Sequence, residues 1–160
     1  MSIQVAIIMG SKSDWEIMSH SGRILSELNI SHESKVISAH RTPDLLDDYC
    51  DKIKEDGVEV IIAGAGLAAA LPGVIAAKKT IPVIGVPLDS GSLSGLDALL
   101  SIVQMPPGIP VGTMGVGKCG AINAALFAAS ILSLNDKSIS QELRKYRKNQ
   151  AQKVIDTELS

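Results

Sequence analysis

The stretch "IQVAIIMGSKSD" (residues 3–14) decides the fold class of this chain. Its first seven residues are apolar apart from Gln4, and this pattern predicts a strand at 3–9 that is buried on both faces. Gly10 then permits a tight turn into "DWEIMSHSGRILSELN" (14–29), whose apolar spacing predicts an amphipathic helix. The predicted inner stripe of that helix consists of Trp15, Met18, Ile24, Leu25 and Leu28. A buried strand, a glycine turn and a helix together make the first part of a βα unit.

The same alternation of short apolar runs and helical patterns repeats to the end of the chain. Further strands are predicted at 33–38, 58–64, 81–88 and 109–114, and further helices at 42–57, about 70–79, 93–105 and 119–134. Thr42 and Pro43 mark a helix start as cap and first-turn residue, and Gly57 marks its end. Strands that are apolar on both faces and alternate with helices predict an α/β protein with a central parallel sheet, a flavodoxin-like three-layer α/β/α sandwich. The strand order is left open.

The last segment differs from the rest, since "DKSISQELRKYRKNQAQKVIDTELS" (136–160) is strongly charged. Its thin apolar line consists of Ile139, Leu143, Tyr146 and Val154. We therefore predict one domain over 1–160, with a core at 3–134 and a C-terminal helical extension at 136–158. The extension is expected to leave the core and pack on a neighbouring subunit, the alternative being a solvated surface helix.

Composition excludes several classes of function. The net charge of −2 and an aromatic content of 2% argue against nucleic-acid binding. Cys50 and Cys119 lack metal-ligand spacing, and His20, His32 and His40 are scattered, so no metal site is predicted. No targeting segment is visible, and no apolar run reaches the roughly 18 residues of a membrane span. We expect a cytoplasmic protein that binds neither membrane nor nucleic acid.

The loops after the strands are the candidate ligand site, because parallel sheets bind ligands beyond the carboxyl ends of their strands. These loops are "GSKSD" (10–14), "SAHRTP" (38–43), "GAGLAAALPG" (64–73), "DSGSLSG" (89–95) and "GVGKCGA" (115–121). Ser11 and Ser13 can converge on an anion at a helix start, with Ser13 or Asp14 as its cap. Asp14 would repel a phosphate and suits the hydroxyls of a sugar. His40 and Arg41 are the one histidine and the one arginine in these loops, and His40 is the candidate acid–base group.

Two nucleotide-binding patterns are near matches only. "GAGLAA" (64–69) fits G-x-G-x-x-A but follows the third predicted strand rather than the first. "GTMGVGKC" (112–119) differs from a P-loop by Cys119, which cannot supply the hydroxyl that binds magnesium. Neither a dinucleotide site nor a P-loop is predicted, and the second stretch is expected to form a Gly-rich turn in the ligand site. His20 and His32 are expected to be solvated and without a role.

Taken together, the loops "GSKSD", "SAHRTP", "IIAGAG", "LPG" and "LSGLDALLSIVQMP" resemble those of the N5-carboxyaminoimidazole ribonucleotide mutase family, PurE class I, over residues 3 to about 150. The resemblance implies a homo-octamer that acts without a cofactor in purine biosynthesis. It also implies a reaction in which the carboxylate on the exocyclic nitrogen of a phosphoribosyl aminoimidazole moves to carbon 4 of the ring.

The resemblance implies roles for particular residues. His40 would be the general acid–base, Arg41 would bind the phosphate, and Ser11, Ser13 and Asp14 would contact the phosphoribosyl group. The remaining substrate-binding residues that it implies are Ser38, Ala39, Gly66, Ala70 and Leu71.

The chain departs from the class I pattern at Ala70, where the resemblance leads us to expect a histidine, and at Pro107, where it leads us to expect an arginine. Class II carboxylases, which use free carbon dioxide, carry alanine at the first position but have lysine instead of Arg41. Three hypotheses therefore stay open: a mutase, a carboxylase that uses carbon dioxide, and a weakly active ligand-binding relative.

Overall fold

The computed structural model describes residues 2–53 and 56–159 and contains one parallel sheet. Its strands are β1 (Val5–Met9), β2 (His32–Val36), β3 (Val60–Ala65), β4 (Val83–Pro87) and β5 (Gly112–Thr113). They are arranged in the order β2-β1-β3-β4-β5, and every neighbouring pair is parallel. The predicted α/β class and flavodoxin-like doubly wound sheet are confirmed, and the structure supplies the strand order.

The described residues also form six α-helices. They are α1 (Trp15–Glu27), α2 (Pro43–Ile53), α3 (Leu71–Lys78), α4 (Leu96–Val103), α5 (Lys118–Leu132) and α6 (Lys137–Ile155). Two residues of the helix predicted at 42–57, Lys54 and Glu55, lie outside the described residues. In the described part of the chain, no helix combines the length and the apolar character needed to cross a membrane.

The alternation of side chains along β1 shows the three layers. Val5, Ile7 and Met9 pack into a core with α1 and α5, whereas Ala6 and Ile8 pack into a second core with α2, α3 and α4. All five residues are 0–1% exposed, as expected for a central strand covered by helices on both faces. The buried strand predicted from the first residues of the chain is thus the middle layer of the molecule.

Three sequence-based predictions were wrong in detail. Trp15 is 43% exposed rather than on the inner stripe, because a short 3-10 turn at Lys12–Asp14 precedes α1 and leaves this side chain at the helix start. Strand β2 is half-buried to exposed rather than apolar on both faces, since it is an edge strand that pairs only with β1. Strand β5 is two residues long, and Pro110, which has no N–H to donate to the sheet, lies two residues before it.

The C-terminal helix α6 packs on its own domain over its first half. Ile139 is 4% exposed and lies in the same core as α5, with Leu143 and Tyr146 packed against it. Val154 is 75% exposed, so the apolar line predicted for this helix is covered only in part. The expectation that the extension leaves the core is therefore wrong for its first half, and packing of its second half on a neighbouring subunit stays a prediction.

Candidate active site

One cleft of about 540 Å³ lies beyond the carboxyl ends of the strands. It collects every residue that the sequence analysis singled out as a site residue: Ser11, Ser13, Asp14, Ser38, Ala39, His40, Arg41, Gly66, Ala70 and Leu71. Three loops supply them, after β1, β2 and β3, which are adjacent strands of the sheet. The position of the cleft agrees with the general rule for ligand sites of parallel sheets.

The turn after β1 is held by its own side chains. Ser11 caps the 3-10 turn, its N–H donates to Asp14 Oδ2 at 2.9 Å, and the Ser13 hydroxyl donates to Ser11 Oγ at 2.9 Å. Ser11 is therefore the side-chain cap of the 3-10 turn, and Asp14 closes the reciprocal half of a capping box. Of the two predicted caps, Asp14 is the N-cap residue of the following helix α1, although its side chain makes no capping hydrogen bond there. This arrangement keeps two hydroxyls and one carboxylate together at the edge of the cleft.

Arg41 links the second loop to the first. Its Nη2 donates to the Gly10 carbonyl at 2.6 Å, and its Nε donates to Ser38 Oγ at 3.3 Å. Burial raises the pKa of the Asp14 carboxyl, and the positive charge of Arg41 acts in the opposite direction. The guanidinium thus lies close enough to Asp14 to influence its charge, while donors of its planar fork remain for an anion.

The loop after β2 presents His40 on a hydrogen-bonded turn. The Ser38 N–H donates to Thr42 Oγ1 at 3.0 Å, and the Thr42 hydroxyl donates to the Ser38 carbonyl at 3.0 Å. The Thr42 hydroxyl therefore closes the loop, while the Thr42 carbonyl accepts from the Leu46 N–H at 3.1 Å as the helix begins. His40 is exposed, and its ring makes no hydrogen bond within the described residues, so both ring nitrogens are available to a ligand.

The opposite side of the cleft is nearly apolar. It is built from Ala65, Gly66, Leu67, Ala68, Ala69, Ala70 and Leu71, with Ser90 beside them. Ala70 is the residue before α3 and has no side chain that can cap it. The wall therefore confines a ligand without offering it a titratable group.

Sequence reasoning missed Ser90 as a residue, although its loop (89–95) was among the candidates. No signal in the sequence distinguishes Ser90 from the other serines of its loop; in the structure, a Cβ on Gly66 would overlap its hydroxyl, which shows how closely the two loops approach. The loop at 115–121 does not line the cleft, so the Gly-rich turn expected there is not part of this site. Gly120 of this loop is required by packing instead, since a Cβ on this residue would overlap the Gly115 carbonyl.

The other two histidines lie outside the cleft. His20 is half-buried on α1. His32 is the first residue of β2 rather than preceding it, and its Nδ1–H donates to the Ile30 carbonyl at 2.9 Å. Its half-buried ring also lies over Gly22, so the expectation of a solvated His32 was wrong. Among the described residues, no group of three or more His, Cys, Asp or Glu side chains could hold a metal ion.

Comparison with known proteins assigns this arrangement to a family. The family model described as AIR carboxylase matches residues 4–153. N5-carboxyaminoimidazole ribonucleotide mutase of Bacillus subtilis is 56% identical over 96% of this chain and 94% of the relative. The protein of the same name from Escherichia coli K12 is 56% identical over 96% and 90%.

A solved structure agrees with these relatives. The crystal structure of Treponema denticola PurE superposes with a TM-score of 0.87 at 31% identity, and it covers 96% of this chain and 94% of that one. The chain belongs to the AIR carboxylase (PurE) family.

Proposed function

We propose that this enzyme is an N5-carboxyaminoimidazole ribonucleotide mutase of purine biosynthesis, which moves a carboxylate from the exocyclic nitrogen to carbon 4 of a phosphoribosyl aminoimidazole. The observation that carries the proposal is the placement of His40. This exposed imidazole lies in the cleft next to Arg41, and the alanine-rich wall forms the opposite side of the same cleft. A proton donor, an anion binder and a confining surface are what this carboxyl transfer needs.

The phosphoribosyl end of the substrate is assigned to the first two loops. Arg41 has free donors for the phosphate, and the hydroxyls of Ser11 and Ser13 add hydrogen bonds at the same edge. The Asp14 carboxylate accepts hydrogen bonds from the ribose hydroxyls, through the oxygen that does not bind the Ser11 N–H. Ser38, Ala39, Gly66, Ala70 and Leu71 line the space around the base.

His40 carries out two proton transfers in this mechanism. The protonated imidazole donates a proton to the exocyclic nitrogen, the nitrogen–carbon bond breaks, and carbon dioxide and the free amine form. Carbon 4 of the electron-rich ring attacks the carbon dioxide before it leaves the cleft. The neutral imidazole then removes the proton from carbon 4, which restores both the aromatic ring and the protonated His40. The Gly/Ala wall contributes by keeping the two reacting molecules together.

The mechanism uses one side chain for every proton transfer and no cofactor. Ala70, at the position where the family pattern led us to expect a histidine, leaves the wall without an imidazole. A carboxylase that captures dissolved carbon dioxide has the same need for His40. It is the second candidate because alanine at position 70 fits the class II carboxylase pattern. Arg41 favours the mutase.

The activity assay separates the two. Turnover of the N-carboxylated ribonucleotide should exceed turnover of the unsubstituted ribonucleotide at any bicarbonate concentration, and the reverse order would assign a carboxylase. His40→Asn should lower kcat by at least about 100-fold, the low end for a lost general acid–base group, with His20→Asn as the control outside the cleft. Wild-type activity in His40→Asn would refute the mechanism.

The Ala70→His variant tests the third hypothesis. If the chain is a weakly active relative, the added imidazole should raise kcat well above that of the wild type. If the mutase is complete as it stands, the added ring should leave kcat unchanged or lower it by crowding the wall.

Self-association is part of the proposal, as a homo-octamer in the cytoplasm. Its support is an apolar stripe on the outer face of α4 and the loop before it: Leu93, Leu96, Leu100 and Val103, each 49–58% exposed. Apolar stripes of this kind commonly mark interfaces between protein chains. The exposed second half of α6 is a second surface for a neighbouring subunit.

A further inference from the structure

We propose that Ser90 binds the migrating carboxyl group. This inference rests on the proposed function, because it names the contact that the second half of the cleft makes with the substrate. It concerns a residue of the loop after β4, a strand that supplies no other residue to the cleft.

The distribution of polar side chains in the cleft is uneven. Every other polar side chain that lines it belongs to the loops after β1 and β2: Ser11, Ser13, Asp14, Ser38, His40 and Arg41. On the side of β3 and β4, the described residues offer the Ser90 hydroxyl as the single polar side chain. A charged group bound on that side therefore depends on this hydroxyl and on backbone N–H groups.

The strand order places the two ends of the cleft apart. Arg41 follows β2, and Ser90 follows β4, three steps across the sheet in the order β2-β1-β3-β4. At about 4.8 Å per step this is roughly 14 Å between strand axes. A ligand whose phosphate is bound by Arg41 therefore extends its base, and the carboxyl group on it, towards Ser90.

Packing holds Ser90 in place. A Cβ on Gly66 would overlap the Ser90 hydroxyl and would lie 3.2 Å from Ser90 Cβ, so the two residues are in close contact. Leu67, in the left-handed region at φ 56°, reaches over Gly91, which is also left-handed at φ 80°. The loops after β3 and β4 thus position each other, and glycine at 66 and 91 is what permits their approach.

The Ser90 hydroxyl is free to act on a ligand. Within the described residues it makes no hydrogen bond, and Ser90 is exposed. A hydroxyl donates one hydrogen bond and accepts others, so it can bind a carboxylate before and after transfer and an amine in between. A serine hydroxyl neither gains nor loses a proton near neutral pH, so the proton transfers remain with His40.

The test compares ligands with and without the carboxyl group. In Ser90→Ala, the affinity for the 4-carboxylated ribonucleotide measured by calorimetry should fall about tenfold, as expected for a lost hydrogen bond to a charged group. The affinity for the uncarboxylated ribonucleotide should change less than about twofold. Turnover should show about a tenfold loss in kcat/KM. Ser92→Ala, in the same loop but off the cleft, is the matched control.

Two results would overturn the proposal: equal affinities of Ser90→Ala and wild type for both ligands, or an equal loss for both. Failure of the wild type to bind either ligand would also overturn it. If the wild-type protein shows no mutase turnover, and Ser90→Ala still selectively weakens binding of the carboxylated ribonucleotide, the proposed function is refuted while Ser90 remains a carboxylate-binding residue.

The neighbouring glycine gives a second, independent variant. Gly66→Ala should displace the Ser90 hydroxyl and produce the same selective loss, provided that its melting temperature shows a folded protein. In the Ser90→Ala background the same change should cost less, since the overlapping hydroxyl is gone. Fully additive effects of the two substitutions would contradict the contact on which the proposal depends.

Discussion

Replacing Arg41 with methionine tests how the cleft binds a phosphate. The structure uses Arg41 Nη2 and Nε for the Gly10 carbonyl and the Ser38 hydroxyl, two neutral acceptors that a phosphate can displace or share. Methionine keeps much of the apolar stem and removes all five donors and the charge. The variant thus isolates the guanidinium from the packing of the chain that carries it.

The size of the effect follows from the exposure of Arg41. A hydrogen bond to a charged group contributes about 1.5–3 kcal/mol, and because Arg41 is exposed we expect the lower part of this range, about 2 kcal/mol. This corresponds to roughly a 30-fold weaker Kd for the ribonucleotide. Arg41→Lys keeps the charge but not the planar fork, so its loss should lie between wild type and Arg41→Met.

The assay is calorimetric binding of the ribonucleotide and of its nucleoside, which lacks the phosphate. Wild type should prefer the nucleotide strongly and lose that preference as salt rises, whereas Arg41→Met should show little preference at any salt concentration. If Arg41→Met weakens nucleoside and nucleotide equally, Arg41 acts through the shape of the loop, and the assignment of the phosphate to this residue is wrong.

Two further predictions concern stability. In Gly64→Ala, the new Cβ would lie 2.8 Å from Cγ of Met18, a side chain that is 0% exposed, so we expect the free energy of unfolding, measured by urea titration, to fall by about 1–3 kcal/mol. In the control variant Gly115→Ala, no atom lies within 4 Å of the new Cβ, and the loss should be under about 0.5 kcal/mol. Equal losses in the two variants would refute the packing argument. In Asp136→Ala, the melting temperature should fall because Asp136 caps α6, and hydrogen bonds from Ser138 and Ile139 hold the pKa of its carboxyl below the ordinary 3.8. A lowered folded pKa means that this stabilisation is complete above pH 3.8 and disappears as the pH falls through the folded value, so a melting-temperature difference that persists in strong acid would contradict it.

The layer architecture could be predicted because it depends on local patterns. Residues such as Ile7 and Ile8 are apolar at consecutive positions in a short run, which favours a strand covered on both faces, and the glycine and helical pattern that follow indicate a βα unit. Errors arose where burial depends on neighbours in the sheet. The polar residues Glu33, Ser34 and Lys35 of "ESKVIS" were a signal of an exposed strand, but the place of this strand at the sheet edge is decided by the order of all five strands.

The sequence by itself determined the fold class, and it predicted the candidate loops and the two residues, His40 and Arg41, on which the proposed reaction depends. These follow from residue types and from the rule that loops after parallel strands bind ligands. Only the tertiary structure decided which loops meet: it brought Ser90 against Gly66 and left the loop at 115–121 off the cleft. The physical reason is that contacts between distant loops depend on strand order and on side-chain packing, and neither is encoded in any short stretch of the chain.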